Sequence, residues 1–217
     1  MNKLRGIVPV LVTPFQSNGD VDKQMLNALV EHLCRQDIPG LWVLGTGSED
    51  MAMSFKQRLD VAQVVSDANT NGKTIFMGVG FYSYHDTVDF LTEIEGLRFD
   101  AVHYMPYHPL ISEDLIVRSY EDLADRSAKP VWLYFSGNWS QTLSFERIEA
   151  LSKHSNIGGV KFSSSNIVHV QNISTLSRPD FQVISAVVRT LYSCLQIGIE
   201  AATTVEACAY HKPIIDI

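Results

Sequence analysis

The sequence predicts an α/β protein, a single (β/α)₈ TIM barrel domain over residues 1–217. Two observations predict it. Eight short apolar runs alternate with seven amphipathic stretches of helical spacing, and the units follow one another at roughly even intervals. Such alternation indicates a parallel sheet covered by helices, and eight units in one uninterrupted series favour a barrel over a doubly wound sheet.

Each element is predicted from its own local pattern, in chain order. The strands are short apolar runs that cover residues 6–12, 40–44, 74–79, 100–105, 130–135, 157–163, 181–185 and 200–205. The helices have apolar residues three and four apart, and they cover residues 21–36, 54–68, 84–97, 112–127, 144–154, 166–176 and 187–198. The apolar stripe of the first helix comprises Met25, Leu26, Leu29, Val30 and Leu33.

The ends of two helices carry further information. Ser54 stands at the start of the second helix, where a serine side chain accepts a backbone hydrogen bond as an N-cap. After the eighth strand the sequence runs only to Ile217, so we expect an incomplete eighth helix. The first and last strands would then be poorly covered.

Composition and charge exclude several classes of function. Of the 217 residues 46% are hydrophobic and 19% are charged, which is ordinary for a soluble globular protein, and no run approaches a membrane span. The net charge of −7 argues against nucleic acid as a partner, because such a surface needs clustered Lys and Arg. The spacing of Cys34, Cys194 and Cys208 fits neither a disulfide framework nor a zinc site. We expect a cytoplasmic protein without a metal or another cofactor.

One lysine interrupts the sixth predicted strand, in the run GGVKFSSSN at residues 158–166. Side chains alternate along a strand, so Val160 and Phe162 face the helices while Lys161 points into the barrel with Gly159. A lone buried ammonium is costly unless it is paired or neutral, and no Asp or Glu ends a neighbouring strand. A neutral, desolvated amine attacks ketones to form a Schiff base. The alternative is an ordinary surface lysine at a strand end.

Aromatic and histidine side chains also fall near the strand ends, where barrel sites gather. Tyr134, in the fifth strand, has the same inward parity as Trp132. It is either a core aromatic residue or a proton relay beside the lysine. His108 lies in a loop on the site side, whereas His103 is expected to pack within the fourth strand.

The loop after the second strand, GTGSED at residues 45–50, is rich in hydrogen-bonding groups. Backbone N–H groups and the hydroxyls of Thr46 and Ser48 suit a carboxylate or a phosphate. The loop matches neither of the common nucleotide-binding glycine motifs. It therefore predicts a site for a small anionic group.

These residues together resemble the dihydrodipicolinate synthase/N-acetylneuraminate lyase family of pyruvate-dependent class I aldolases. The resemblance covers essentially the whole chain, through GIVPVLVTPFQSNGDVD at residues 6–22, GLWVLGTGSE at 40–49, the strand-five tyrosine and GVKFSSSN at 159–166. It implies a (β/α)₈ barrel followed by a C-terminal helical segment, for which this sequence has no counterpart. It also implies assembly into homo-oligomers, dimers or tetramers.

The resemblance implies a role for individual residues. Lys161 would be the Schiff-base lysine that condenses with the keto group of pyruvate or a related 2-oxo acid. Tyr134 would relay protons, and Thr46 would bind the substrate carboxylate and link to that tyrosine. Further substrate contacts would come from Gly45, Gly47, Ser48, Tyr107, His108 and Trp139.

The sequence also departs from the family pattern. The family loop Gly-Thr-Thr-Gly-Glu reads GTGSE here, so Gly47 stands where a threonine hydroxyl is usual. Trp139 lies near the place of the arginine that grips a second carboxylate in the synthase, which favours a less charged second substrate. The family's Ser-Gly-Asp reads SAV at residues 185–187.

These departures leave two hypotheses open. The first is an aldolase or lyase that makes or breaks C–C bonds and is distinct from dihydrodipicolinate synthase. The alternative is a family paralogue that keeps the scaffold and has lost efficient catalysis, serving as a 2-oxo-acid-binding or structural subunit.

Overall fold

The computed structural model describes residues 3–69, 71–108, 110–137 and 139–215. The strands are β1 (Gly6–Pro9), β2 (Gly40–Val43), β3 (Thr74–Gly78), β4 (Ala101–Tyr104), β5 (Val131–Ser136), β6 (Ile157–Ser163), β7 (Gln182–Ser185) and β8 (Ala201–Thr204). The helices are α1 (Lys23–Cys34), α2 (Phe55–Ala68), α3 (Tyr84–Glu93), α4 (Glu113–Arg126), α5 (Phe145–Ser152), α6 (Ile167–Ser174), α7 (Leu191–Gln196) and α8 (Ala207–Ile215). Over the same ranges, no helix combines the length and the apolar character needed to cross a membrane.

The strands form a nearly closed parallel barrel. Neighbours pair in sequence order from β2 to β8, and β8 pairs with β1. Between β1 and β2 the closure is short, with the Leu11 N–H donating to the Trp42 carbonyl at 2.9 Å. Just before β1, the Gln182 side-chain amide of β7 accepts from the Leu4 N–H at 2.9 Å and donates to the Leu4 carbonyl at 2.7 Å. The predicted (β/α)₈ barrel is confirmed.

Alternation along the strands divides the buried residues into two main groups. Val160 and Phe162 pack between the sheet and the helices, whereas Trp132 belongs to the cluster inside the barrel. A Cβ placed on Gly159 would lie 2.7 Å from a ring carbon of the Trp132 indole and 2.4 Å from the Gln182 carbonyl oxygen. The glycine two residues before Lys161 therefore leaves room for the tryptophan of the neighbouring strand.

Local signals determine where the helices begin and which face they bury. Ser54 caps α2, because its hydroxyl accepts from the Gln57 N–H at 3.3 Å while the Gln57 side chain accepts from the Ser54 N–H at 2.8 Å. The predicted N-cap is confirmed. The prediction for Met25 is wrong, since its side chain is 62% exposed. One residue before the buried Leu26, it lies about 100° away around the helix.

An eighth helix forms after β8. It runs from Ala207 to Ile215 and is interrupted at Tyr210, whose backbone is not helical. Ala207 packs in a buried cluster with Ile7 of β1 and Leu191 of α7. The expectation of poor cover is therefore wrong for this part of the barrel, because α8 and α7 pack over the first and last strands.

Candidate active site

A cavity of about 260 Å³ opens at the carboxyl ends of the strands and reaches the barrel interior. Its hydroxyl-bearing lining comes from the loop after β2 and from β5, β6 and β8, at Thr46, Tyr134, Ser136, Ser163, Thr203 and Thr204. The charged side chains in the lining are Lys161, Arg189 and Glu206. Active sites of barrel enzymes lie at this end, and the small volume suits a small metabolite.

Lys161 lies at the inner end of this cavity and is only 3% exposed. Its Nζ lies 4.1 Å from the ring centre of Tyr134 and 4.7 Å from that of Trp42. No ion pair among the described residues includes it. Burial lowers its pKa from 10.5 to about 7, while the charge of Asp50 acts in the opposite direction. A substantial fraction of the amine is therefore neutral near pH 7.

Tyr134 lies directly beside Lys161, because the two residues are paired in register between β5 and β6. The phenol oxygen of Tyr134 and the Thr46 Oγ1 are 3.1 Å apart, within hydrogen-bond distance. Burial raises the pKa of Tyr134 to about 12, so the phenol keeps its proton at neutral pH. Amine, phenol and threonine hydroxyl thus form a contiguous polar group facing one cavity.

The loop that carries Thr46 is held between two residues of left-handed backbone. Leu44 has φ 56° and Glu49 has φ 61°, values that non-glycine residues rarely adopt. Ser48 stabilises the turn between them, since its Oγ accepts from the Gly45 N–H at 3.2 Å. Ser48 and Gly45 therefore shape the loop and are not part of the cavity lining.

Gly47 lines the cavity and lies tightly against the loop after β8. A Cβ at this position would lie 2.3 Å from Cγ2 of Val205 and 3.0 Å from Cγ1 of Val10. A larger residue at position 47 thus competes for space with Val205. With Val205 in this place, there is no room for the threonine that is usual in the family at position 47. The Ser48 hydroxyl is buried and does not line the cavity, so it does not replace the missing threonine hydroxyl there.

The remaining predicted site residues lie outside the cavity. Tyr107 is buried and its hydroxyl donates to Oδ2 of Asp50 at 2.7 Å. His108 is exposed, and Trp139 is 49% exposed in the loop after β5. The structure therefore brings together Lys161, Tyr134, Thr46 and Gly47, but not the other five predicted residues.

Sequence reasoning missed a buried charged pair close to the site. Asp50 is fully buried, and its Oδ2 lies 3.7 Å from Nη1 of Arg58. Its Oδ1 has no hydrogen-bond partner in the described structure. Burial raises the pKa of Asp50, and Arg58 acts against that rise. Because Asp50 comes from the loop after β2, a search for acids at the ends of strands adjacent to β6 does not find it.

Arg189 and Glu206 were also missed. Arg189 follows β7 and Glu206 follows β8, so both lie on the site side, and their places after predicted strands were the available signal. The Glu206 carboxylate accepts a hydrogen bond from the Thr204 hydroxyl, which lowers the pKa of Glu206.

His103 is buried close to Lys161. His103 packs inside the barrel as predicted, with its ring stacked on Trp42 at 4.1 Å and its Nε2 2.8 Å from the Val43 carbonyl oxygen. Burial lowers the pKa of His103. Across the part of the chain that the structure describes, no three His, Cys, Asp or Glu side chains are placed to share a metal ion.

Comparisons with known proteins identify relatives of this chain. The model of the dihydrodipicolinate synthetase family matches residues 3–211. A 4-hydroxy-tetrahydrodipicolinate synthase from Methanospirillum hungatei JF-1 is 27% identical over 216 residues, which are 98% of this chain and 74% of that protein. An N-acetylneuraminate lyase from Rhizobium meliloti is 31% identical over 173 residues, 79% of this chain and 58% of that protein.

A solved structure shares the fold. YagE, a prophage protein of the dihydrodipicolinic acid synthase family from E. coli K12, was solved in complex with pyruvate. It superimposes with a TM-score of 0.91 at 23% identity, over 98% of this chain and 73% of that one. The present chain thus spans between 58% and 74% of the length of these proteins.

Proposed function

Because this chain belongs to the dihydrodipicolinate synthetase family, we propose that it is an aldolase or lyase that forms a Schiff base with pyruvate or a related 2-oxo acid through Lys161. One observation carries the proposal: a buried amine of pKa about 7, with no ion-pair partner among the residues that the structure describes, faces a small cavity with polar walls. A scaffold gains nothing from burying such a group, since an unpaired ammonium is costly inside a protein.

The proposed reaction begins at the amine. The neutral Nζ of Lys161 attacks the carbonyl carbon of the 2-oxo acid and a C–N bond forms. The carbonyl oxygen takes one proton from the amine and one through the Tyr134 phenol, and it leaves as water. The product is a protonated imine, which accepts the electron pair of the C3–C4 bond when a 4-hydroxy-2-oxo acid is cleaved. The proton of the 4-hydroxyl group passes to the enzyme, an aldehyde leaves, and protonation of the enamine followed by hydrolysis releases the 2-oxo acid.

Tyr134 and Thr46 are the proposed proton carriers. Their 3.1 Å contact, beside the amine, forms a path along which a proton can move between the substrate and the cavity. The Thr46 hydroxyl and the backbone at Gly47 are the proposed partners of the substrate carboxylate, because both line the cavity. Gly45, Ser48 and Tyr107 are proposed to support these groups from behind.

We also propose that the protein is cytoplasmic and works as a dimer or tetramer of identical chains. The three cysteines are all free, as is usual in a reducing compartment. Large apolar side chains are exposed on the loops after β3, β4 and β5, at Tyr82, Leu110 and Trp139, and they support contact with a second copy. His108 and Trp139 are proposed to contact substrate or partner in that assembly.

Borohydride trapping tests the central proposal. The protein is incubated with pyruvate, reduced, digested and read by mass spectrometry. We expect a reduced pyruvyl adduct on the peptide that contains Lys161, and its loss in Lys161→Ala with the fold retained. Lys153→Ala, a change at an exposed lysine, is the control and should keep the adduct. Folded wild-type protein without an adduct would favour the non-catalytic paralogue.

A further inference from the structure

Arg189 is a cation without a counterion on the wall of the candidate active site. It lines the same cavity as Lys161, its side chain is exposed, and no ion pair of the described residues includes it. Glu206 lines this cavity too, but its carboxylate accepts from Thr204 and lies outside ion-pair distance of Arg189. The guanidinium is thus available to an anionic group of a ligand.

The topology places Arg189 and Thr46 on different sides of Lys161. In the sheet, Lys161 pairs with Tyr134 of β5 on one side and with Ile184 of β7 on the other. Thr46 contacts the phenol of Tyr134, whereas Arg189 belongs to the loop after β7. A ligand joined to the amine and directed by its carboxylate toward Thr46 therefore has its remaining atoms free to extend toward Arg189.

The loop after β7 offers this ligand no other polar side chain along the cavity. Ala186, Val187 and Val188 line it together with Arg189. These three apolar side chains cannot bind the hydroxyl groups of a sugar-like chain through hydrogen bonds. The apolar Trp139, by contrast, does not line the cavity. Within the loop after β7, Arg189 is thus the polar side chain that lines the cavity, while Ser163 of β6 and Thr203, Thr204 and Glu206 of β8 and its loop line the neighbouring walls.

Building on the proposed function, we propose that Arg189 selects a 2-oxo acid with a second anionic group, a carboxylate or a phosphate, at the end remote from the carbonyl. The aldehyde that is released or consumed then carries this group. The sequence alone favours a less charged second substrate because Trp139 lies near the place of the family arginine. In the structure Trp139 lies outside the cavity, whereas Arg189 lines it.

The test compares two five-carbon acids, 2-oxoglutarate and 2-oxopentanoate, which differ by one terminal carboxylate. Calorimetric titration of the full chain is expected to give at least tenfold tighter binding of 2-oxoglutarate. Arg189→Ala should remove most of this preference and leave 2-oxopentanoate unaffected, while Arg189→Lys should keep part of it. Arg118→Ala, at an exposed arginine of α4, is the matched control and should bind as the wild type does.

A second arm distinguishes the two kinds of anion. Aldol addition of pyruvate to glyceraldehyde 3-phosphate and to glyceraldehyde is compared in the same variants, and a phosphate site predicts a KM increase in Arg189→Ala for the phosphorylated aldehyde alone. Equal binding of both five-carbon acids together with equal use of both aldehydes by the wild type would overturn the inference. So would an Arg189→Ala effect that is the same for charged and uncharged partners. Failure of the Schiff-base proposal is recognised separately, by the absence of a Lys161 adduct after borohydride treatment.

Discussion

Thr46 and Tyr134 are separated by 88 residues in the sequence, and their side-chain oxygens lie 3.1 Å apart. The contact crosses the mouth of the barrel, from the loop after β2 to the end of β5, and it borders the cavity that exposes the amine of Lys161. Two hydroxyl groups that can each donate and accept are thereby joined next to a nucleophile. This contact makes a relay role for Tyr134 chemically reasonable.

Removal of either hydroxyl should slow imine formation at saturating pyruvate. We expect Tyr134→Phe to reduce the rate of adduct formation with pyruvate about 10² to 10⁴-fold, the usual range for a lost acid–base group. Thr46→Val should act in the same direction, and the double variant should be little slower than Tyr134→Phe because the two act through one contact. Single-turnover trapping measures these rates. Fully additive losses would show that the hydroxyl groups act independently.

The buried amine of Lys161 should make stability depend on pH. Its pKa is about 7 in the folded chain against an ordinary value of 10.5, so between these values the unfolded chain binds more protons and stability rises with pH. Below pH 7 the folded chain carries the full cost of the buried, protonated amine, on the order of 5 kcal/mol. Lys161→Met should therefore stabilise the protein most at pH 6 and least near pH 10.

Urea unfolding at both pH values measures this difference. Lys153→Met, at an exposed lysine, is the control and should change stability by less than about 0.5 kcal/mol at either pH. A stabilisation by Lys161→Met that is the same at pH 6 and pH 10 would contradict the lowered pKa.

Gly47 and Val205 should behave as a coupled pair. Gly47→Ala brings a Cβ within 2.3 Å of the valine Cγ2, and such overpacking costs about 1 to 3 kcal/mol. Val205→Ala removes the obstructing methyl groups, so Gly47→Ala/Val205→Ala should be more stable than the sum of the single changes predicts. Denaturant midpoints of the four proteins give the coupling. Strict additivity would mean that the two residues do not share this space.

Stability should fall much more when Arg58 alone is replaced than when Asp50 and Arg58 are replaced together. Arg58→Met leaves the fully buried Asp50 without its cation. We expect the free energy of unfolding to fall by about 3 to 5 kcal/mol. Asp50→Asn/Arg58→Met should recover part of that loss. Arg126→Met, which breaks an exposed pair with Asp122, should cost less than about 1 kcal/mol.

The same pair offers a second readout on the amine. Since the charge of Asp50 raises the pKa of Lys161, Asp50→Asn should lower it further, and the pH midpoint of adduct formation should move below about 7. A midpoint that rises or does not move in this variant would show that Asp50 does not act on the amine.

The sequence by itself determined the alternation of strands and helices and the inward direction of Lys161 and Tyr134. Those features depend on local periodicity, since apolar residues repeat every two positions in a strand and every three to four in a helix. The parity of one strand was enough to separate Lys161 from Val160 and Phe162. Ser54 was likewise predictable, because capping involves residues only three positions apart.

Only the tertiary structure decided which side chains meet across the barrel mouth. The proximity of Asp50 to Arg58, the competition between Gly47 and Val205, and the position of Arg189 on the cavity depend on loops that converge from separate strands. The closure of the barrel brings these loops together. The periodicity of one segment does not predict how loops from different segments pack against one another. The turn of α8 over the first and last strands depends on long-range packing in the same way.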